Sequence, residues 1–303
     1  LGLLSKEVAI VFPALMLGLD MVTDRSGDNL LPKGNTFLQA LGRALRSRPY
    51  QYAAFSVVAV AALAWAVFIN GASRAVGYWG GSFQTNLGTG FKLFAHYLKL
   101  VFLPYPLIAD YTGNVFQVST SLGEPATVLA IILALAFLAL ALWIFRKSPL
   151  VSFGMLWFGA ALSPVLHFIP FHELAADHFL YFPLVGVSLA VAGLALILQD
   201  YPAGWRKGCA VLLAVFALAG SGMTIYRNRA WKDQKTLWET TYAQAPGSYR
   251  ANVNLGQIAF SDQKLAEGIR FTERAIELDP TKAVPRINLG ALYYDLGQQA
   301  SRE

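Results

Sequence analysis

Long apolar runs separated by short polar stretches organise roughly the first three quarters of the chain. A helix needs about 20 apolar residues to cross a bilayer. Ala126–Phe145, ATVLAIILALAFLALALWIF, meets that demand without a single charge. Gln51–Asn70, Leu150–Phe168, Phe179–Leu198 and Gly208–Tyr226 read the same way. A run ending near Val22 joins them, although it carries Lys6, Glu7 and Asp20. The pattern predicts about six spans. Phe91–Thr112 is apolar too, but Lys92, His96 and Lys99 interrupt it. Pro104 and Pro106 would stop its helix. Residues 91–110 are therefore expected to form an interfacial or re-entrant helix.

After Tyr226 the pattern changes. Asn254, Leu255 and Gly256 recur 34 residues later as Asn288, Leu289 and Gly290, and Pro246 recurs as Pro280. This is the tetratricopeptide period, whose small residues let paired helices approach closely. The expected packing residues are Leu255, Gly256, Ala275, Pro280, Leu289, Gly290 and Tyr293. Ala259 stands where the repeat usually has a large aromatic, and Tyr293 keeps it in the next unit. Lys235–Ala245 reads as the second helix of an earlier, degenerate repeat, with Trp238 and Tyr242 placed to pack on the following unit. The expected fold is all-α: a polytopic membrane helix bundle over residues 1–226, then tetratricopeptide repeats over 227–303. The chain starts at Leu1 and stops inside a repeat, so it reads as an internal fragment.

Composition agrees with the spans. Of 303 residues, 55% are hydrophobic and 14% charged, and mean hydropathy is +0.46. A soluble domain is far more polar. The net charge of +6 does not point to nucleic acid, because the basic residues flank apolar runs, where they set topology. Residues 23–50 carry Arg25, Lys33, Arg43, Arg46 and Arg48, and two further loops carry Arg146–Lys147 and Arg206–Lys207. Placing these three loops in the cytoplasm puts FHELAADH and everything after Tyr226 outside. Arg227, Arg229, Lys232 and Lys235 then lie on the outer side, against the rule. The lone Cys209 excludes an intrachain disulfide.

Titratable chemistry concentrates in FIPFHELAADHFLYFPLVG, Phe168–Gly186, between two apolar runs. A zinc-protease HExxH would need histidine where Ala176 stands, and His172 and His178 are poorly spaced to share a helical face. No metal site or cofactor is expected. On a helix from Phe171, Glu173, Asp177 and Tyr181 would form one polar stripe; the alternative is a solvated loop. Lys6 and Glu7, adjacent and so facing different ways, and Asp110 fall on the same outer face. Lys6 could hold a phosphate or simply snorkel, and Asp110 could be a loop cap. Lys6, Glu7, Asp110, Glu173, Asp177, His178 and Tyr181 together outline a cavity for a membrane lipid with a polar head.

SKEVAIVFPALMLGLD, LPYPLIADYT, ELAADHFLYFPLVG and RNRAWKDQKTLWETTYAQAPGSYRANVNLG occur in this order, followed by the repeats. In that order the chain resembles the transmembrane and tetratricopeptide-repeat (TMTC) family and looks like a bacterial member. The resemblance implies a GT-C-type membrane glycosyltransferase fold with extracytoplasmic repeats, in a bacterial plasma membrane. It implies transfer of a sugar, mannose in animal members, from a polyprenyl-phosphate carrier to a protein hydroxyl. A carboxylate base would activate the acceptor and basic groups would steady the leaving phosphate. Two departures stand out. The family's first-loop carboxylate, the expected base, would lie upstream of Leu1. Relatives usually place an Arg-Tyr pair where this chain has His178–Phe179. Partners implied are membrane lipid, the lipid-linked sugar and a protein bound by the repeats. The competing reading is a non-enzymatic membrane-anchored repeat scaffold. A transporter is disfavoured by the lack of an inverted repeat.

Overall fold

The computed structural model describes residues 11–23, 35–64, 77–112, 114–168 and 173–301. Among them the fold is all-helical, with twelve α-helices. They are α1 (Phe12–Val22), α2 (Phe37–Ser47), α3 (Pro49–Ala64), α4 (Phe83–Phe102), α5 (Pro125–Ile144) and α6 (Pro149–Leu162), then α7 (Pro183–Leu198), α8 (Ala203–Asn228), α9 (Gln234–Gln244), α10 (Tyr249–Ser261), α11 (Leu265–Leu278) and α12 (Val284–Ala300).

Two of these, α5 and the α8 segment, are long and apolar enough to cross a membrane. Helices α1 and α7, and α6 with the turn that follows it, are apolar but shorter. Prolines account for much of the shortening. The expected span Leu150–Phe168 ends as an α-helix at Leu162, and a 3₁₀ turn over Ser163–Val165 contains Pro164. The expected span Phe179–Leu198 starts only at Pro183, whose fixed φ suits the first helical turn. By contrast, α4 is longer than its apolar stretch suggests. Ser82 opens it with a reciprocal cap, accepting from the Thr85 amide while Thr85 accepts from the Ser82 amide. It ends at Phe102, ahead of Pro104.

The packing falls into two compact units that interleave along the chain. Unit 1 holds residues 1–104, 118–172 and 178–210; unit 2 holds 105–117, 173–177 and 211–303.

In unit 1, α1 packs on α2, α3 and α6, α4 on α5, and α6 on both α5 and α7. Met21, Val22, Ala40, Ala44, Phe145 and Phe153 form a buried core. Asp20 does not stand alone in its apolar helix: Tyr52 donates to it at 2.6 Å and Arg48 lies at 3.5 Å. Arg43 closes the end of α1 by donating to the Asp20 and Met21 carbonyls. Helices α6 and α7 meet at Gly154 and Gly186, so closely that a Cβ on either would overlap the other's carbonyl oxygen. Small residues at such a crossing let the two backbones approach closely.

In unit 2, α9 packs on α10, α10 on α11, and α11 on α12. Leu255 and Ala275 are buried at these contacts. Gly256 lies against Thr272 and Gly268 of the next helix, and Tyr242 meets the Phe271 ring edge-on at 5.3 Å. Leu292 fills the α12 contact, whereas Gly290 has open space around it and Tyr293 is exposed, its hydroxyl donating to Glu273.

Candidate functional site

Unit 2 contains a polar cluster built from three separate stretches of sequence. Its centre is Asp110, only 3% exposed. The Asp110 Oδ2 accepts from Thr112 Oγ1 at 2.7 Å, from Ser248 Oγ at 2.8 Å and from the Arg250 amide at 3.3 Å. Ser248 is the N-cap of α10, and its own oxygen accepts from the Ala251 amide. The first amides of any helix lack intrahelical partners, and the helix dipole favours negative charge there. Asp110 thus completes the cap of a helix that starts 138 residues further along the chain. A main-chain bond from Asn114 to the Gly247 carbonyl holds the same loop to the same helix end.

The arginine that follows the cap extends the cluster. Arg250 Nη1 donates to Glu173 Oε1 at 3.3 Å, and its Nε lies 3.7 Å from Asp110 Oδ1. Tyr111 donates to Asp177 Oδ1 at 2.6 Å, which joins the two loops directly. Arg227, near the end of α8, lies within electrostatic reach of Asp177 and Tyr111. Its Nη1 is buried without a hydrogen bond. The cluster therefore offers two cations and three carboxylates around a tyrosine hydroxyl. It can bind a polar group or simply lock two loops to a helix.

Of the residues singled out from sequence, Asp110, Glu173 and Asp177 come together here. They do so by a different geometry from the expected stripe. Residues 173–176 are irregular, and Asp177–Leu180 is a 3₁₀ turn. With three residues per turn, positions i, i+4 and i+8 no longer share a face, so the helical stripe of Glu173, Asp177 and Tyr181 does not form. His178 and Tyr181 belong to unit 1, and both side chains are exposed. The His178 ring rests on Phe179, centroids 4.7 Å apart. Lys6, Glu7 and His172 lie outside the described residues. No group of three or more His, Cys, Asp or Glu gathers as metal ligands would among the described residues.

Ser248, Arg250 and Arg227 were not singled out for chemistry by the sequence, although all three lie close to or within the RNRAW…GSYRANVNLG segment. The available signal was a serine directly ahead of a helical repeat, an N-cap pattern. Of the four cations after Tyr226 that the expected topology places outside, Arg227 lies within electrostatic reach of Asp177, and Lys235 pairs with Asp262 at 2.8 Å.

Unit 1 carries a separate feature, an apolar cavity of about 470 Å³. Leu15 and Gly18 of α1, Phe91 and Phe94 of α4, Phe137 of α5 and Trp157 of α6 contribute to its lining.

No family model matches the chain. No solved structure matches it either. Among curated proteins, it is 23% identical over 137 residues to the protein O-mannosyl-transferase Tmtc3 of Drosophila melanogaster. The match takes in 45% of this chain and 15% of the length of that protein. It supports a TMTC-like relationship at most, and hints at a glycosyltransferase-like function.

Proposed function

We propose that the chain is part of a GT-C-like membrane glycosyltransferase that moves a sugar such as mannose from a polyprenyl-phosphate carrier to a protein hydroxyl. The observation that carries this reading is the partial similarity to the Drosophila O-mannosyl-transferase. Two features of the fold support it. Residues of three motifs behind the resemblance converge on one polar cluster: Asp110 and Tyr111 from LPYPLIADYT, Glu173 and Asp177 from ELAADHF, and Arg250 from GSYRAN. The apolar cavity of unit 1 has the lining a prenyl chain requires. In this reading the apolar helices form a multi-pass bundle. The cluster faces the extracytoplasmic side of a bacterial plasma membrane, and α9–α12 are tetratricopeptide repeats that bind the acceptor or another protein.

Roles follow from chemistry. Asp177, with Tyr111 as donor and Arg227 beside it, is the carboxylate best placed to take part in proton transfer or acceptor alignment. Arg227 is the cation best placed to receive a phosphate. Asp110 and Glu173 have contacts with α10 and act structurally.

Those structural contacts also favour a second reading, a membrane-anchored repeat scaffold without catalysis. A carboxylate engaged by a helix cap and an arginine is a clamp, not a base. Sugar transfer and partner capture separate the two. Asp177→Asn should abolish transfer in the full-length gene product while partner binding by the repeats persists. Unchanged transfer in Asp177→Asn would remove Asp177 from the reaction.

A further inference from the structure

The two loops of the cluster interrupt unit 1 in sequence yet pack as parts of unit 2. Each has its own tie. Loop 105–117 is held to the start of α10 by the Ser248 hydroxyl, the Arg250 amide and the Asn114–Gly247 main-chain bond. Loop 173–177 is held by the Arg250 guanidinium through Glu173. The same guanidinium, through Nε, lies beside Asp110. Arg250 is thus the residue of α10 whose side chain reaches a carboxylate on each loop. Its rigid fork suits that task, because its donors lie in one plane at fixed angles. A lysine, as a single point charge, could serve one carboxylate well but not both.

We propose that Arg250 is a positioning residue: it makes α10 the frame on which the Asp110 loop and the Glu173 loop are held in one fixed relation. This rests on the reading above, in which those loops carry the transfer site, and it deepens that reading. The repeat-like helices then belong to the site's architecture, since they supply the residue that spaces its carboxylates. Asp177 and Tyr111 meet between two loops tied to α10, the Glu173 loop by the Arg250 guanidinium and the Asp110 loop by the Ser248 hydroxyl and the Arg250 amide with the guanidinium beside it. Any change that moves α10 moves both loops together.

Hydrogen exchange on the full chain in detergent micelles tests this without any activity assay, so an inactive protein would not affect the result. The variant is Arg250→Gln, which removes the charge at similar length and helix propensity. Amides of the peptide covering 173–177 should exchange about threefold to fivefold faster, and those of 105–117 by less, because Ser248, the Arg250 amide and Asn114 still hold that loop, while α10–α12 keep wild-type protection. Arg250→Lys should restore part of the protection, on one loop more than the other. Wild-type exchange on both loops in Arg250→Gln would overturn the proposal, because the Tyr111–Asp177 bond would then suffice. Faster exchange throughout α10–α12 would overturn it as well, by making Arg250 a general fold residue.

Discussion

Replacing Asp110 with alanine removes the acceptor shared by three hydrogen bonds. The carboxylate is buried and receives three hydrogen bonds, two of them from residues near the start of α10. Without it the Ser248 hydroxyl, itself fully buried, keeps its cap on Ala251 but loses its own acceptor, and the Arg250 amide is left without a partner. Hydrogen bonds to charged groups contribute about 1.5–3 kcal/mol each, and an orphaned buried donor costs about 1–3 kcal/mol. The Arg250 guanidinium adds little, because it is 42% exposed and its charge is screened by water. Counting the two long-range bonds at the low end gives a loss of about 3 kcal/mol. Asp110→Asn keeps one carbonyl acceptor and should lose about half as much. Native-state hydrogen exchange of α10 amides reports this as an opening free energy, where 3 kcal/mol is roughly a hundredfold increase in exchange. A change of less than about threefold in Asp110→Ala would refute the capping argument and leave Asp110 free for a chemical role.

Two further outcomes follow from unit 1. Gly154→Val would drive a side chain into the Gly186 carbonyl and the Ala190 amide, an overpacking cost of about 1–3 kcal/mol. Gly159→Val, on the same helix but facing open space, is the control, and thermal melting in detergent should separate the two variants clearly. At the start of α5, the Glu124 carboxyl is held down to about 2, first by the Thr120 amide and then by Lys92 at 2.9 Å. A depressed carboxylate contributes stability above its ordinary value near 4.5 that disappears as pH falls toward 2. Wild type should therefore lose melting temperature relative to Glu124→Gln across that window, and parallel acid profiles would contradict the assignment.

Hydrophobic pattern made α5 legible almost to the residue, because its apolar run is uninterrupted and Pro125 marks its start. The same pattern overran at Phe168 and began early at Phe179, because hydropathy is blind to Pro164 and Pro183. The helix expected over Lys235–Ala245 is found at Gln234–Gln244, and Tyr242 packs on Phe271, a contact between helices close in sequence. The polar stripe required a helix from Phe171, and of the two alternatives the sequence left open it is the irregular one that holds: residues 173–176 are non-helical and a 3₁₀ turn begins at Asp177. The cluster itself was hidden for a different reason. Its decisive bond joins Asp110 to Ser248 across 138 positions, and no periodicity encodes a contact at that range. The sequence left open that Asp110 was a loop cap; the helix it caps could be found only in three dimensions.

The transferase reading is tested most directly by measuring sugar transfer itself. Membranes containing the full-length gene product would be given a labelled polyprenyl-phosphate mannose and a protein acceptor, beside matched membranes carrying Asp177→Asn. Label on acceptor hydroxyls is expected with the wild-type protein, and loss of that label with the variant. Equal incorporation by both, or none above empty membranes by either, would contradict it, and the latter result would leave a membrane-anchored repeat scaffold as the function.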